Sequence, residues 1–497
     1  MALRGLRNGL LVLADGIVPG GVVIEDGRIA AIADDAHLPR DGDMLDVGGR
    51  FVLPGVVDPE AHLGSVGPLA EDLATESRAA VATGVTTWNL QQTAHAVATA
   101  FRDRPGPDDI LPFPPLVDEF ERVVDARSRC DVALTPLLTA VEQTAEIPDL
   151  ARAKGITTYK LYLHMRLGHE RLGATWPAAR PLGFRPFDDA LIFSAMREVA
   201  KLGSWGLLSL HCENWEIARL LEAELQAAGR TDTAAWSDRS PAYLESMHVR
   251  NYAYLARQLG CRLHVQHVST VETLQELARA RAEGAEVYGQ TAAHYLLLGP
   301  EVWRLNVPLR PAHHHEQLWR ALAAGGVNSV GSDHIGPRRG EQGRIMSRAE
   351  MDTGDVWRST SGFASRVEAH LPLLLSEGVN RRRLSLERLV EVACGNPARL
   401  WGLHPRKGII QVGSDADLVV VDLGQRMVLS DELVISAAGW TVYAGTEVTG
   451  WPVLTILRGE PVAEWSGSSC WVREEPTGCY VTHRFDDECA TMPRSVR

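Results

Sequence analysis

Apolar residues along the chain gather in short runs, and several runs stop on a side chain able to hold a proton or a metal. Leu53-Pro54-Gly55-Val56-Val57-Asp58-Pro59-Glu60-Ala61-His62 ends on a carboxylate and an imidazole spaced i and i+2. Side chains alternate across a strand, so Glu60 and His62 share one face. The run 156–163 encloses Lys160, those at 207–211 and 263–267 end on His211 and His267, and 328–334 carries Asp333. Helical spacing separates these runs. It predicts a helix near 73–83, another over 189–202 from Leu191, Ile192, Ala195, Met196 and Val199, and a third from a Ser269-x-x-Glu272 capping box to about Glu283. Runs at 84–88, 132–137 and 285–288 complete eight strands in alternation with helices. That pattern predicts βα units that close a parallel barrel, with the active face at the strand C-termini.

The two chain ends read differently. Short strands and turns fill residues 10–52, and a similar alternation returns at 408–411, 417–422 and 453–457. Neither end holds enough chain for a core of its own. The expected architecture is therefore an α/β protein, a TIM-type (β/α)8 barrel over 53–399 inserted into a small β-sandwich domain built from 1–52 and 400–465. Residues 466–497 are expected as a C-terminal extension, loose or wrapped on a neighbouring subunit.

At 497 residues the chain holds such a barrel plus the smaller domain. An apolar content of 45% suits a soluble enzyme, and a net charge of −13 argues against a nucleic-acid partner, which wants a basic face. Asp15 and Gly16 break the opening apolar run before it reaches signal-peptide length, and no run approaches a membrane span. A cytoplasmic protein with no membrane partner is expected. Seven cysteines are too sparse for a disulfide framework. Cys130, Cys212, Cys261 and Cys394 read as small core residues, while Cys470, Cys479 and Cys489 lack CxxC spacing. Only Lys154, Lys160, Lys201 and Lys407 among 50 basic residues are lysine, so the one inside the apolar run at 160 is not there for solubility. A buried ammonium needs a partner or must lose its charge.

Convergence of the strand ends in a barrel would bring Glu60, His62, Lys160, His211, His267 and Asp333 together. Carboxylates and imidazoles on rigid elements hold metals, and a metal with an open position makes hydroxide near neutral pH. Carbamylation by carbon dioxide would turn Lys160 into an anionic bridge between two ions. The bland reading for these side chains is a set of satisfied core polar groups. It is strongest for Glu60, as a salt-bridged carboxylate with no ligand role.

The chain resembles the cyclic amidohydrolase family: hydantoinases, dihydropyrimidinases, allantoinases and, more distantly, dihydroorotases. The resemblance runs in order through Leu53-Pro54-Gly55, Thr86-Thr87, Lys160, His211-Cys212-Glu213-Asn214, His267-Val268-Ser269, Asn306-Val307-Pro308-Leu309-Arg310, Gly331-Ser332-Asp333-His334, Asn396-Pro397-Ala398-Arg399 and Val412-Gly413-Ser414-Asp415-Ala416-Asp417. It implies a metal-dependent hydrolase that opens a cyclic amide, imide or ureide by metal-hydroxide attack. The implied cofactor is a divalent metal, zinc with manganese or iron as alternatives, as one or two ions, with Lys160 carboxylated by CO2. His211 and His267 are implied to hold the outer ion. Asp333 is implied to ligate the inner one and to shuttle the proton to the leaving nitrogen. Asn306, Ser361 and Gly362 are implied ring contacts, and the assembly is implied to be a homodimer or homotetramer. The same site serves ring closure, and a non-catalytic dihydropyrimidinase-like assembly protein is a further alternative.

Two positions depart from the family. Glu60 stands where the family's first histidine is expected, which adds negative charge and shifts preference toward harder ions, or costs the inner ion altogether. Met165 stands where dihydropyrimidinases place an oxyanion-binding tyrosine, leaving His164, Tyr162 or Arg166 as substitutes. His264 is expected to face the helix layer, His334 to support rather than ligate, and His313-His314-His315 to begin a solvated helix. Arg166, Arg171, Arg180, Arg185, Arg338 and Arg339 either sit on exposed surface or line the mouth, where they would attract a carboxylate-bearing substrate.

Overall fold

The computed structural model describes residues 4–39, 44–99, 105–172, 180–340, 343–363 and 366–482. Both chain ends build one mostly antiparallel nine-stranded sheet. The N-terminal part supplies β1 (Gly5–Leu13), β2 (Gly16–Glu25), β3 (Arg28–Ala33), β4 (Met44–Asp46) and β5 (Phe51–Pro54). The barrel strands follow as β6 (Val56–His62), β7 (Val85–Gln92), β8 (Asp131–Pro136), β9 (Thr158–Tyr162), β10 (Leu207–His211), β11 (Leu263–Val265) and β12 (Val287–Thr291), then the short β13 (Ser329–Val330) and β14 (His334–Ile335). The chain returns to the first sheet with β15 (Leu418–Val428), β16 (Glu447–Leu457), β17 (Glu460–Ser466) and β18 (Ser469–Val472).

Parallel pairing runs β14-β6-β7-β8 and β9-β10-β11-β12-β13. A parallel bridge between Leu137 and Lys160 joins β8 to β9. On the other side, one interrupted eighth strand pairs with both neighbours, β13 with β12 and β14 with β6. The barrel is thus closed. Its lower end is filled by Val57, Ala133, Leu207 and Tyr288 against Trp401 and Val481.

Several boundaries depart from expectation. β5 pairs with β1 and β15, so the barrel begins at Val56 rather than Leu53. The seventh strand lies at Val287–Thr291, later than 285–288, because Gly284 and Ala285 still end the preceding helix. Ser269 and Glu272 do not cap the helix Val271–Ala282. Thr270 does, accepting from the Thr273 amide, while Ser269 is drawn away to Glu245. The residues after 465 are not a separate extension as far as they are described. β18 pairs with β17, and Cys479 and Val481 hydrogen-bond to Val132 at the barrel floor. Cys489 lies outside the described residues.

Candidate metal centre

β6 delivers Glu60 and His62 to one point despite a register irregularity between Asp58 and Ala61. Asp58 secures the turn of chain. It accepts from Trp88 Nε1 at 2.9 Å and from the Ser332 amide at 2.9 Å, tying the first barrel strand to the eighth. Asp333 and His267 follow the ends of their strands with left-handed φ of 50° and 38°. Such φ is costly for non-glycine residues and here turns each side chain inward.

Glu60 is the centre of the cluster. Its Oε1 lies 3.5 Å from His62 Nε2, 3.8 Å from Lys160 Nζ and 3.9 Å from His267 Nε2. Its Oε2 accepts from Gln290 on β12. His62 Nε2 is 3.3 Å from Asp333 Oδ1, and the His211 and His267 rings stand 4.3 Å apart. Glu213 holds His211 Nε2 at 3.3 Å, which leaves Nδ1 as the nitrogen available for a ligand bond. Glu60, His62 and Asp333 bring one donor atom each within 4.8 Å of one another. All six predicted strand-end residues are therefore brought together and buried.

The donor set fits a divalent metal. Glu60 Oε1, Lys160 Nζ and His267 Nδ1 are buried with no hydrogen-bond partner, a costly arrangement unless something else binds them. Burial pushes Lys160 down to about 8, against the pull of Glu60 and Asp333. Burial also holds His211 and His267 far below the ordinary imidazole range, so both keep free lone pairs at neutral pH. Burial raises Glu60, whereas in Asp333 the opposing effects of Arg366 and His62 outweigh it and keep the carboxylate ionised. Asp131, Asp415 and Asp417 form a second close trio. Lys407 Nζ already stands among them at 2.5, 2.8 and 2.7 Å, so that trio is charge-matched by the chain itself.

A cleft opens over the cluster. Asn306, Ser361, Gly362 and His164 line it as expected. Met165 does not. The chain forms a tight turn at Leu163–Met165, which rotates Met165 into an apolar cluster with Leu137, Leu167 and Trp215. Tyr162 takes the open place, its hydroxyl 3.0 Å from the His62 ring nitrogens. His164 packs against His211, their ring centroids 3.8 Å apart and tilted by 41°. Of the six arginines considered for the mouth, only Arg338 lines the cleft. Arg166 pairs with Asp189, and Arg339 with Glu71 and Asp72.

Three other expectations resolve. His334 is a supporting residue, bound to Glu76 at 2.9 Å and stacked on Trp88. His264 does not face the helix layer. Register places it beside Ser209 and Lys160, and its Nδ1 lies 3.2 Å from Ser209 Oγ. The turned backbone at His267 breaks the alternation on which the opposite-face reading relied. The helix Ala312–Ala324 begins as expected with His313 exposed, but His314 is buried, its Nδ1 accepting from the Val271 amide at the start of a neighbouring helix. Two site residues had no place in the sequence reading. Gln290 lies beyond the predicted seventh strand, and reading that strand two residues further would have found it. Arg366, ion-paired with Asp333, carries no local signal.

Ligand-competent side chains on the C-terminal ends of parallel strands, with unpaired donors facing one another, define a metal-dependent hydrolase of the (β/α)8 type. The chain belongs to the amidohydrolase family, whose profile matches residues 184–462. It is 32% identical over 490 residues to an L-hydantoinase of Paenarthrobacter aurescens, covering 96% of this chain and 98% of that one. An allantoinase of Solibacter usitatus is 32% identical, with 92% and 93% covered. The solved L-hydantoinase (dihydropyrimidinase) from Arthrobacter aurescens matches with a TM-score of 0.81 at 29% identity, over 97% of this chain and 100% of that one. The expected cyclic amidohydrolase resemblance is borne out, and these relatives do not favour a non-catalytic assembly protein.

Proposed function

We propose that the protein is a metal-dependent cyclic amidohydrolase that opens the ring of a cyclic amide, imide or ureide. The observation that carries this reading is the convergence of Glu60, His62, Lys160, His211, His267 and Asp333 on one buried point at the barrel mouth. Glu60, His62 and Asp333 would hold an inner ion, and His211 and His267 an outer one. Lys160, carboxylated by CO2, would bridge them. The low proton affinity of Lys160 supports that modification, since only the neutral amine adds to CO2. Bound metal, zinc in this proposal, supplies an acidified water and polarises the ring carbonyl.

The chain's own residues do the remaining work. Ionised Asp333 takes the proton of the attacking water and returns it to the leaving amide nitrogen. Burial keeps the Tyr162 phenol protonated, so its hydroxyl donates to the oxygen that gains charge as the carbonyl is attacked. Asn306, Ser361 and Gly362 position the ring from the lining of the cleft, and His164 lies next to His211.

The proposal extends to a cytoplasmic homodimer or homotetramer acting on a small cyclic substrate without nucleic-acid or membrane partners. Six free cysteines among the described residues fit a reducing compartment, and no described helix is long and apolar enough to cross a membrane. Elemental analysis of purified protein, together with turnover of allantoin, hydantoins, dihydrouracil and succinimide, tests the function. Bound divalent metal and hydrolysis of at least one ring are expected. A protein that takes up no metal and opens none of them would overturn it.

A further inference from the structure

Two guanidiniums stand on one wall of the cleft. The charge of Arg366 is met by Asp333. Arg338 is different. Its Nη2 donates to the Ser361 carbonyl at 2.6 Å, its Nε is buried without a hydrogen-bond partner, and no ion pair with a carboxylate forms among the described residues. The adjacent Arg339 shows the ordinary arrangement, with Glu71 at 3.2 Å and Asp72 at 3.5 Å.

Holding a partly desolvated cation beside a second cation is unfavourable unless an anion joins them. Burial first, and then Arg366, push Arg338 down to about 10, so it is still charged at neutral pH. The acids of the cleft are not free to neutralise it. Asp333 is engaged by Arg366 and His62, and Glu60 lies beneath the imidazoles. Apart from the metal cluster and the two guanidiniums, the cleft is lined largely by apolar or neutral side chains, among them Val66, Leu182, Leu305, Ile335, Asn306 and Ser361. Arg338 also follows Asp333 on the same short segment, so its distance from the reacting centre is set by the end of the eighth strand.

We propose, resting on the function proposed above, that the ring taken by this protein carries a carboxylate substituent, and that Arg338 seats it. A guanidinium presents parallel N–H donors that match the two oxygens of a carboxylate. A seated carboxylate supplies the missing counter-charge, whereas a neutral ring leaves Arg338 unpaired, and it is by such unpaired polar groups that binding sites reject analogues. Arg366 would lie within the same field and continue to hold Asp333.

The test uses metal-loaded full-length protein and rings matched in size but not in charge: hydantoin-5-acetate against 5-propylhydantoin, and dihydrouracil-6-carboxylate against dihydrouracil-6-carboxamide. For at least one pair the carboxylated ring is expected to be preferred by about 100-fold in kcat/KM, mostly through KM, with the preference shrinking as salt rises. Arg338→Gln should cut that ratio at least about tenfold, and Arg338→Lys should retain part of it. Neutral rings opened as well as their carboxylated counterparts, or a ratio unchanged in a folded Arg338→Gln protein, would overturn the proposal while leaving the hydrolase reading intact. If no ring of either kind is opened, the hydrolase reading fails separately. Calorimetry then decides: binding of the carboxylated ring that Arg338→Gln abolishes supports the anion seat, and no binding overturns it.

Discussion

Glu60 shows how a buried carboxylate is absorbed by its surroundings. It adds charge to a buried site, and burial alone would favour its neutral form. His62, Lys160 and Gln290 surround it, so the oxygen remains directed at the other donors. Lys160 is the residue whose chemistry the proposed site most depends on. Its replacement by arginine keeps positive charge but removes the amine that adds CO2. Bound metal should fall to near zero by elemental analysis, and a carbamate signal seen by NMR in ¹³C-bicarbonate with the native protein should be absent. Tyr162 gives a second prediction. Tyr162→Phe removes one oxyanion donor and should lower kcat by about 100-fold with little change in KM. Both residues were visible in the sequence as parts of one apolar run. That Tyr162 rather than Met165 faces the cleft was not, because it follows from a tight turn at Leu163–Met165 that interrupts the strand pattern.

Between elements, the seam of the seventh and eighth strands controls the site. Gly331 has no side chain because a Cβ there would stand 2.6 Å from Gln290 Nε2, the atom that reaches Glu60. Strand eight then breaks, with Asp333 turned into left-handed φ before β14 resumes pairing with β6. Supporting residues of this kind typically contribute 10–100-fold to metal affinity. Gln290→Ala should therefore weaken metal binding by about 10–100-fold in a chelator competition titration. Gly331→Ala should reproduce that loss by displacing the Gln290 amide. Element existence was legible from apolar periodicity. Element edges were not, since Thr270 and His314 rather than the Ser269-x-x-Glu272 pattern serve the helix Val271–Ala282, and cap choice depends on which nearby groups compete for each hydroxyl.

Over the whole molecule, an ionic cluster joins the barrel to the sheet built from both chain ends. Lys407 contacts Asp131 on β8 and both Asp415 and Asp417 near β15, and Arg458 also reaches Asp131. Lys407→Met leaves buried carboxylates without their central cation and should lower unfolding free energy by about 3–5 kcal/mol in urea denaturation. Burial favours protonated Asp131, yet Lys407 and Arg458 hold it down to about 2. A carboxylate depressed below its ordinary value of 3.8 stabilises the fold fully above that value and loses its contribution as pH falls toward 2. Asp417, raised by burial, partly offsets this. The urea midpoint should hold near neutral pH and drop below about pH 4, and the drop should be smaller in the Lys407→Met protein.

Apolar periodicity and donor spacing, both local properties, were enough to determine the barrel, its insertion between two halves of a sheet, and six side chains for one site. Backbone alternation places i and i+2 on one face wherever a strand forms, so Glu60 and His62 were paired before any fold was known. Arg366 on Asp333, Gln290 on Glu60, Arg338 without a carboxylate partner among the described residues and the inward turn of His267 were decided only in three dimensions. Each depends on how distant segments meet at the closed barrel's rim, and contact between side chains far apart along the chain leaves no periodic trace in a single sequence.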